Sequence, residues 1–286
     1  MLRKSTIQLL RLHFSFFLMP VYWFALSQTE HIYTKHAVLV FIILHFLIYP
    51  ASNGYNSYMD RDTESIGGVK NPKQPTKQLF HVSVVLDIAA IILSMFISFY
   101  FVIGILAYIL ASRAYSYRGI RLKKYPVIGF LTVVIFQGAV TFFLVMHASS
   151  KGQTTDIPFL GMLAASLLIG GFYPLTQIYQ HKQDAADGVI TLSSQLGYKG
   201  TFIFTGIVYF AAMAVLGFYL VSTLQQNSFF IMQLFFIPVL VYFFWWFSKV
   251  VKNNAAANFT NTMRMNFLAS ICTNAAFITL LILEKF

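Results

Sequence analysis

Residues 56–64 read NSYMDRDTE and follow directly on an apolar run, 37–55, with the length and character of a membrane helix. The whole chain has only nine Asp and Glu in 286 residues, yet Asp60, Asp62 and Glu64 all fall in this stretch. Ionisable groups at a membrane edge are costly and generally functional, so scarce carboxylates gathered where a helix leaves the hydrocarbon need a chemical reason.

The composition supports the membrane reading. The chain is 10% charged and 58% hydrophobic, against roughly a quarter charged and about half apolar in soluble domains. Apolar runs of crossing length recur at 12–28, 37–55, 80–99, 101–117, 126–147, 157–178, 200–222, 228–248 and 265–283. They are continuous rather than alternating, which argues against a β-barrel. The expected fold is all-α: a polytopic nine-helix transmembrane bundle forming one domain over residues 1–286. The run beginning near Leu12 continues through Pro20 and Trp23 with no small-residue cleavage site, so it reads as a retained span rather than a signal peptide.

The net charge of +11 does not point to nucleic acid, because Lys and Arg sit in loops between apolar runs and not on one soluble module. Of the 20 Lys and Arg, only Lys35, Lys151 and Lys285 fall on one side of the predicted bundle. The positive-inside rule then places the amino terminus on the cytoplasmic side of the cytoplasmic membrane and the carboxyl terminus opposite. The longer loops, 56–79 and 179–199, lie on that cytoplasmic side, so the active site is expected there. The single Cys272 leaves no disulfide framework and no Cys-rich metal site.

Two acidic clusters end the second and sixth spans: Asp60, Asp62 and Glu64, then Asp184 and Asp187. On a continuing helix Asn56, Asp60 and Glu64 share one face, as Gln180, Asp184 and Asp187 do, with Gln177 and His181 beside them. Carboxylate and amide oxygens grouped this way suit Mg2+. Basic residues complete the pattern. SRAYSYRGIRLKKYP, residues 112–126, carries Arg113, Arg118, Arg121, Lys123 and Lys124, and Lys70, Lys73 and Lys77 follow the first cluster. Metal with Arg and Lys is the equipment for an anionic leaving group such as diphosphate. Arg118 and Lys123 lead these candidates. The other histidines are scattered, and Asp87, just inside the third span, reads as a helix-end or packing residue.

At these residues the chain resembles the UbiA superfamily of intramembrane prenyltransferases, which have nine transmembrane helices and acidic motifs at the ends of helices two and six. The first motif, N-D-x-x-D-x-x-x-D, reads here Asn56, Ser57, Asp60, Glu64. The second, D-x-x-x-D followed by Gly and Thr-Leu, reads Gln180, Asp184, Gly188, Thr191, Leu192. YSYRGIRLKKYP, residues 115–126, is similar to the family's segment after helix four. Ser57 and Gln180 stand where the pattern has acids, Glu64 is longer than the usual Asp, and Gln74 stands where an Arg often precedes Pro75.

The resemblance implies a prenyltransferase. Asn56, Asp60, Glu64, Gln180, Asp184 and Asp187 would hold Mg2+, and Lys73, Arg118, Lys123, Gln177 and His181 would bind the donor's diphosphate. Asp60, Asp184, Arg118 and Lys123 would be the catalytic residues. The partners would be a polyprenyl diphosphate donor, an aromatic or other lipophilic acceptor, and membrane lipid. A non-catalytic binder or transporter of an anionic isoprenoid lipid is the alternative.

Overall fold

The computed structural model describes residues 2–285. Among them nine helices are long and apolar enough to cross a membrane: α1 (Lys4–Ser27), α2 (Thr34–Asp60), α3 (Lys77–Ser94), α4 (Phe99–Ser116), α5 (Pro126–Ser149), α6 (Phe159–Gln177), α7 (Leu192–Ser222), α8 (Gln226–Lys252) and α9 (Phe259–Lys285). The described residues form no strand, only isolated bridges at Ile32–Ser150 and Ile66–Val69. The chain is therefore an integral, multi-pass membrane protein. Its exposed surface is rich in residues such as Phe99, Leu110, Phe210 and Phe230, as a lipid-facing bundle requires.

Three of the boundaries that differ from the hydropathy reading have a clear local cause. The third and fourth spans part at Met95–Ser98 rather than near Tyr100, because the Ser98 hydroxyl accepts the Phe101 N–H at 3.0 Å and starts α4 as an N-cap. The seventh span begins at Leu192, not 200. Gly197, in the left-handed region at φ 69°, kinks the chain there and joins a polar first turn to the apolar remainder. The first span starts at Lys4 and is interrupted at Arg11, also left-handed at φ 47°. That interruption sends the Arg11 guanidinium inward, toward the Asn53 and Gly67 carbonyls.

Two π-helical turns shape the interior. In α2 the turn Ile43–Ile48 precedes Pro50. Proline has no N–H to donate and would collide with the carbonyl four residues back, and a widened turn absorbs both defects. In α5 the turn Ile135–Val140 lies against α6, where the Ser166 hydroxyl accepts the Ala139 N–H at 3.0 Å. A Cβ on Gly138 would stand 2.4 Å from Ser166 Cα, so this crossing needs glycine.

The packing brings the ends of α2, α4 and α6 to one side of the bundle. Helix α6 runs against α7 along its length, α9 lies between α8 and α1, and α2 packs on α3. The largest apolar core is built from α1, α2, α4, α5 and α6 with residues of α7–α9, including Phe24, Phe101, Phe142 and Phe277. A smaller cluster of Leu9, Leu10, Ile66, Val69 and Leu79 pins the loop after α2 onto the start of α1. This cluster matters for function, because that loop carries Asp62.

Replacing Gly138 with Ala forces apart two backbones that cannot yield as a flexible side chain would. The variant is expected to lose about 1–3 kcal/mol of stability, measured as a lower unfolding midpoint in detergent.

Candidate active site

Helix α2 stops at Asp60, where Arg61 turns left-handed at φ 56°. The last carbonyls of the helix accept from Arg118, whose Nε lies 2.8 Å from the Met59 oxygen and whose Nη2 lies 3.4 Å from that of Asp60. A guanidinium at a helix carboxyl end is favourable on electrostatic grounds. A carboxylate there is not, and Asp60 is compensated directly. Lys123 Nζ sits 2.6 Å from Asp60 Oδ2, and Arg121 Nη2 sits 3.6 Å from Oδ1. The Asp60 side chain is only 4% exposed, so its neutralisation by these cations is obligatory.

On the α6 side, Gln180 caps a short helix, His181–Ala186, that presents Asp184. Asp187, just beyond it, pairs closely with Arg121 and lies 3.7 Å from Arg118 Nη2. Arg121 therefore bridges Asp60 of the first cluster and Asp187 of the second. A second bridge runs from Gln183 Nε2 to Asp62 Oδ1, at 2.6 Å.

Between these elements lies a cavity of ≈ 190 Å³ whose mouth is lined by Asn56, Asp60, Asp62, Lys123, Gln180 and Asp184, with Arg11 and Gln177. Deeper, Tyr115 and Tyr173 form a hydroxyl–hydroxyl contact across it. The floor is made by Tyr108, Phe136 and Gln137, the last carried on the π-helical turn of α5.

Burial pushes the Asp184 carboxyl up to about 7; Lys123 opposes the rise, while Asp62, Asp60 and Asp187 add to it. Burial likewise raises Asp62 to about 6, reinforced by Asp60 and opposed by Lys123 and Arg11. His181 goes the other way, lowered by burial to about 4.

Of the predicted metal-binding residues, Asn56, Asp60, Gln180 and Asp184 are brought together on the cavity. Glu64 is not. The chain leaves the helix at Arg61, so the continuing face that would have carried Glu64 does not exist, and its side chain is exposed in the loop. Asp62 takes the place on the cavity wall that the spacing had given to Glu64. Asp187 turns to the two arginines instead of the cavity. Ser57 is buried away from the cavity.

Among the predicted diphosphate ligands, Lys123 and Gln177 line the cavity, and Arg118 caps α2 at its rim. Lys73 is exposed outside it, with its backbone N–H on Gln8 Oε1 at 2.9 Å. His181 bonds Ser193 Oγ at 2.8 Å and stacks on Tyr198, serving the junction with α7. Asp87 pairs with Arg113, which also lies over the Tyr55 ring at 4.0 Å; this packing role fits the sequence reading. The sequence puts Asp62 and Arg121 in the clusters without assigning them to metal or diphosphate, and Arg11 reads there only as loop charge.

The donor set fits Mg2+. Asp60 Oδ1 is buried with no hydrogen-bond partner. The side-chain N–H groups of Asn56, Gln177 and Gln180 are spent on Ser116 Oγ, Tyr173 OH and the Ser65 carbonyl, so each amide keeps its carbonyl oxygen as a donor for a cation. Among the described residues no three His, Cys, Asp or Glu gather into a metal cage. Mg2+ commonly uses one or two carboxylates and completes its shell with water and substrate phosphate.

The profile of the UbiA prenyltransferase family matches residues 17–270. The chain belongs to the UbiA prenyltransferase family. Solved structures share the fold across nearly the whole chain. A UbiA homologue from Archaeoglobus fulgidus bound to Cd2+ aligns at TM-score 0.70 and 16% identity, covering 98% of this chain and 99% of that one. The same homologue bound to DMAPP and Mg2+ aligns at 0.66 and 17%, covering 96% and 99%. A digeranylgeranylglyceryl phosphate synthase aligns at 0.63 and 19%, covering 98% of each chain. No curated protein sequence matches the chain significantly.

The raised carboxyls give this UbiA protein a pH signature. Without metal, native Asp184 and Asp62 hold protons that the unfolded chain releases near pH 4. The native state therefore binds more protons between about pH 4 and 7, and stability falls as pH rises through that window. The penalty is absent below the unfolded pKa and complete above the folded one. In EDTA the unfolding midpoint should drop from pH 5 to 8. Asp184→Asn should flatten the drop and added Mg2+ should oppose it.

Proposed function

We propose that this protein transfers a prenyl group from a polyprenyl diphosphate to an aromatic or other lipophilic acceptor, with its site at the cytoplasmic face of the cytoplasmic membrane. The observation that carries the reading is the single cavity on which Asp60, Asp62, Asp184 and Lys123 converge from the ends of α2, α4 and α6. The Archaeoglobus homologue is bound to prenyl diphosphates, DMAPP or GPP, together with Mg2+. The basic loops on the cavity side support the cytoplasmic placement.

Asp60 and Asp184, with the Asn56 and Gln180 carbonyl oxygens, would hold the metal, and Asp62 lies beside them on the same wall. Bound there, Mg2+ supplies Lewis-acid neutralisation of diphosphate oxygens. Lys123 reaches the same mouth and can shift from Asp60 to the leaving group as negative charge builds on it. Arg118 and Arg121 keep the two acidic ends in register. The allylic C–O bond breaks, its electron pair leaves with the diphosphate, and the electron-poor carbon bonds to the acceptor, which loses a proton. Tyr115, Tyr173 and Phe136 line the cavity below the mouth, where their aromatic rings would stabilise positive charge and keep water out.

The floor sets the length of tail that the cavity accommodates. A void of ≈ 190 Å³ is little larger than the ~150 Å³ that encloses benzene, and Tyr108 and Gln137 line its floor. Short donors should therefore be used best, and Tyr108→Ala should shift preference toward longer ones.

The direct test incubates the purified protein with Mg2+, labelled donors of graded length and a lipid extract, following diphosphate release and the labelled product. Asp60→Asn and Asp184→Asn are each expected to lower turnover at least roughly 100-fold, and EDTA to abolish it. Intact donor in the wild-type reaction would make the protein a carrier rather than a transferase.

A further inference from the structure

A second cavity, of ≈ 390 Å³, lies midway along α6–α9 and shares no lining residue with the first. Its volume is in the range of small-molecule sites. Its walls are hydrocarbon and aromatic, with Phe24, Phe172, Phe243 and Phe277 among them, and no Lys, Arg, His, Asp or Glu lines it. A phosphate head group or a diphosphate would find no partner there.

Four hydroxyl residues, Thr205, Tyr209, Ser270 and Thr273, interrupt the apolar lining, and two of them are buried without a partner. Thr205 Oγ1 and Tyr209 OH are buried and make no hydrogen bond, and Thr205 as a whole is 6% exposed. The two residues stand one turn apart on the same face of α7. Other hydroxyls on these helices satisfy themselves on their own backbone: Thr201 on the Gly197 carbonyl, Ser222 on Tyr219 and Thr273 on Ala269. An unpaired hydroxyl in hydrocarbon is unfavourable. A single water pairing with these two hydroxyls would still leave most of this hydrocarbon chamber unfilled. The rim residues Phe210 and Phe244 are exposed on the lipid-facing surface, so a ligand can enter from the bilayer.

We propose that this chamber binds an uncharged, mostly hydrocarbon lipid with one hydroxyl or carbonyl oxygen, its oxygen bonded to Thr205 and Tyr209 and its body packed among the phenylalanines. The site stands independently of the transfer reaction. Gly206 offers a clean way to close it, since a Cβ there meets no atom within 4 Å while the residue lines the chamber.

The test uses the full-length protein in phosphatidylcholine nanodiscs with three diazirine probes of equal length: a long-chain alcohol, the matching ketone and the matching alkane. Cross-linked peptides are mapped by mass spectrometry. The alcohol or the ketone should label chamber peptides of α7–α9 saturably, and excess alkane should not compete. Gly206→Phe should remove that labelling. Thr205→Val and Tyr209→Phe should each raise the half-saturating concentration about tenfold, and these two decide the matter if Gly206→Phe fails to fold. Equal labelling by the alkane with no effect of Thr205→Val would overturn the proposal. So would labelling spread evenly over the lipid-facing helices.

Discussion

Asp60 ends α2 at the pole where backbone carbonyls already concentrate negative potential, in a wall nearly closed to water. It is tolerated there because Lys123 and Arg121, from the loop after α4, stand on either side of its carboxylate. Arg121 also holds Asp187, so one guanidinium ties the end of α2 to the segment after α6. That charge balance holds the two acidic ends at one mouth, and the rest of the site is arranged around it. Asp62 and Asp184 are held with pKa values raised by burial and by their neighbours. The arrangement is neutral enough to fold and still electron-rich enough to attract a divalent cation carrying a polyanion.

The helices beneath this mouth perform separate tasks. The π-helical turn of α5, possible because Gly138 lets α6 approach, carries Gln137 into the floor of the polar cavity. The kink at Gly197 lets α7 begin with polar residues beside the second acidic segment and continue as a membrane span. Lower on α7, Thr205 and Tyr209 face a different, apolar chamber. One long helix thus serves an ionic site near the membrane surface and a hydrocarbon site at mid-depth, separated by α6.

The nine spans were legible because continuous apolar runs leave little choice of structure in lipid. The meeting of Asn56, Asp60 and Lys123 with Gln177, Gln180 and Asp184 was legible from scarcity: of only nine acids, five fall in two clusters at helix ends on one side. What escaped the sequence were local backbone decisions. Nothing in D-R-D announces that Arg61 will turn left-handed, since glycine or asparagine would be the usual sign. Extending the helix therefore favoured Glu64 over Asp62. Arg11 looked like ordinary positive-inside charge and Arg121 was one of five cations in its loop, and only the folded arrangement gives them partners. Pro50 hinted at irregularity in α2, whereas the turn in α5 had only Gly138 as a sign.

The central claim is that Asp60 and Asp184, from opposite halves of the chain, act on one metal-bound diphosphate. A double-mutant cycle on Mg2+-dependent binding of a non-reactive prenyl thiodiphosphate tests it most directly, with calorimetry on Asp60→Asn, Asp184→Asn and the double variant. Residues sharing one ligand give strongly non-additive losses, so the double variant should bind little worse than either single one. Losses that simply add, or binding that survives both substitutions, would contradict a shared site.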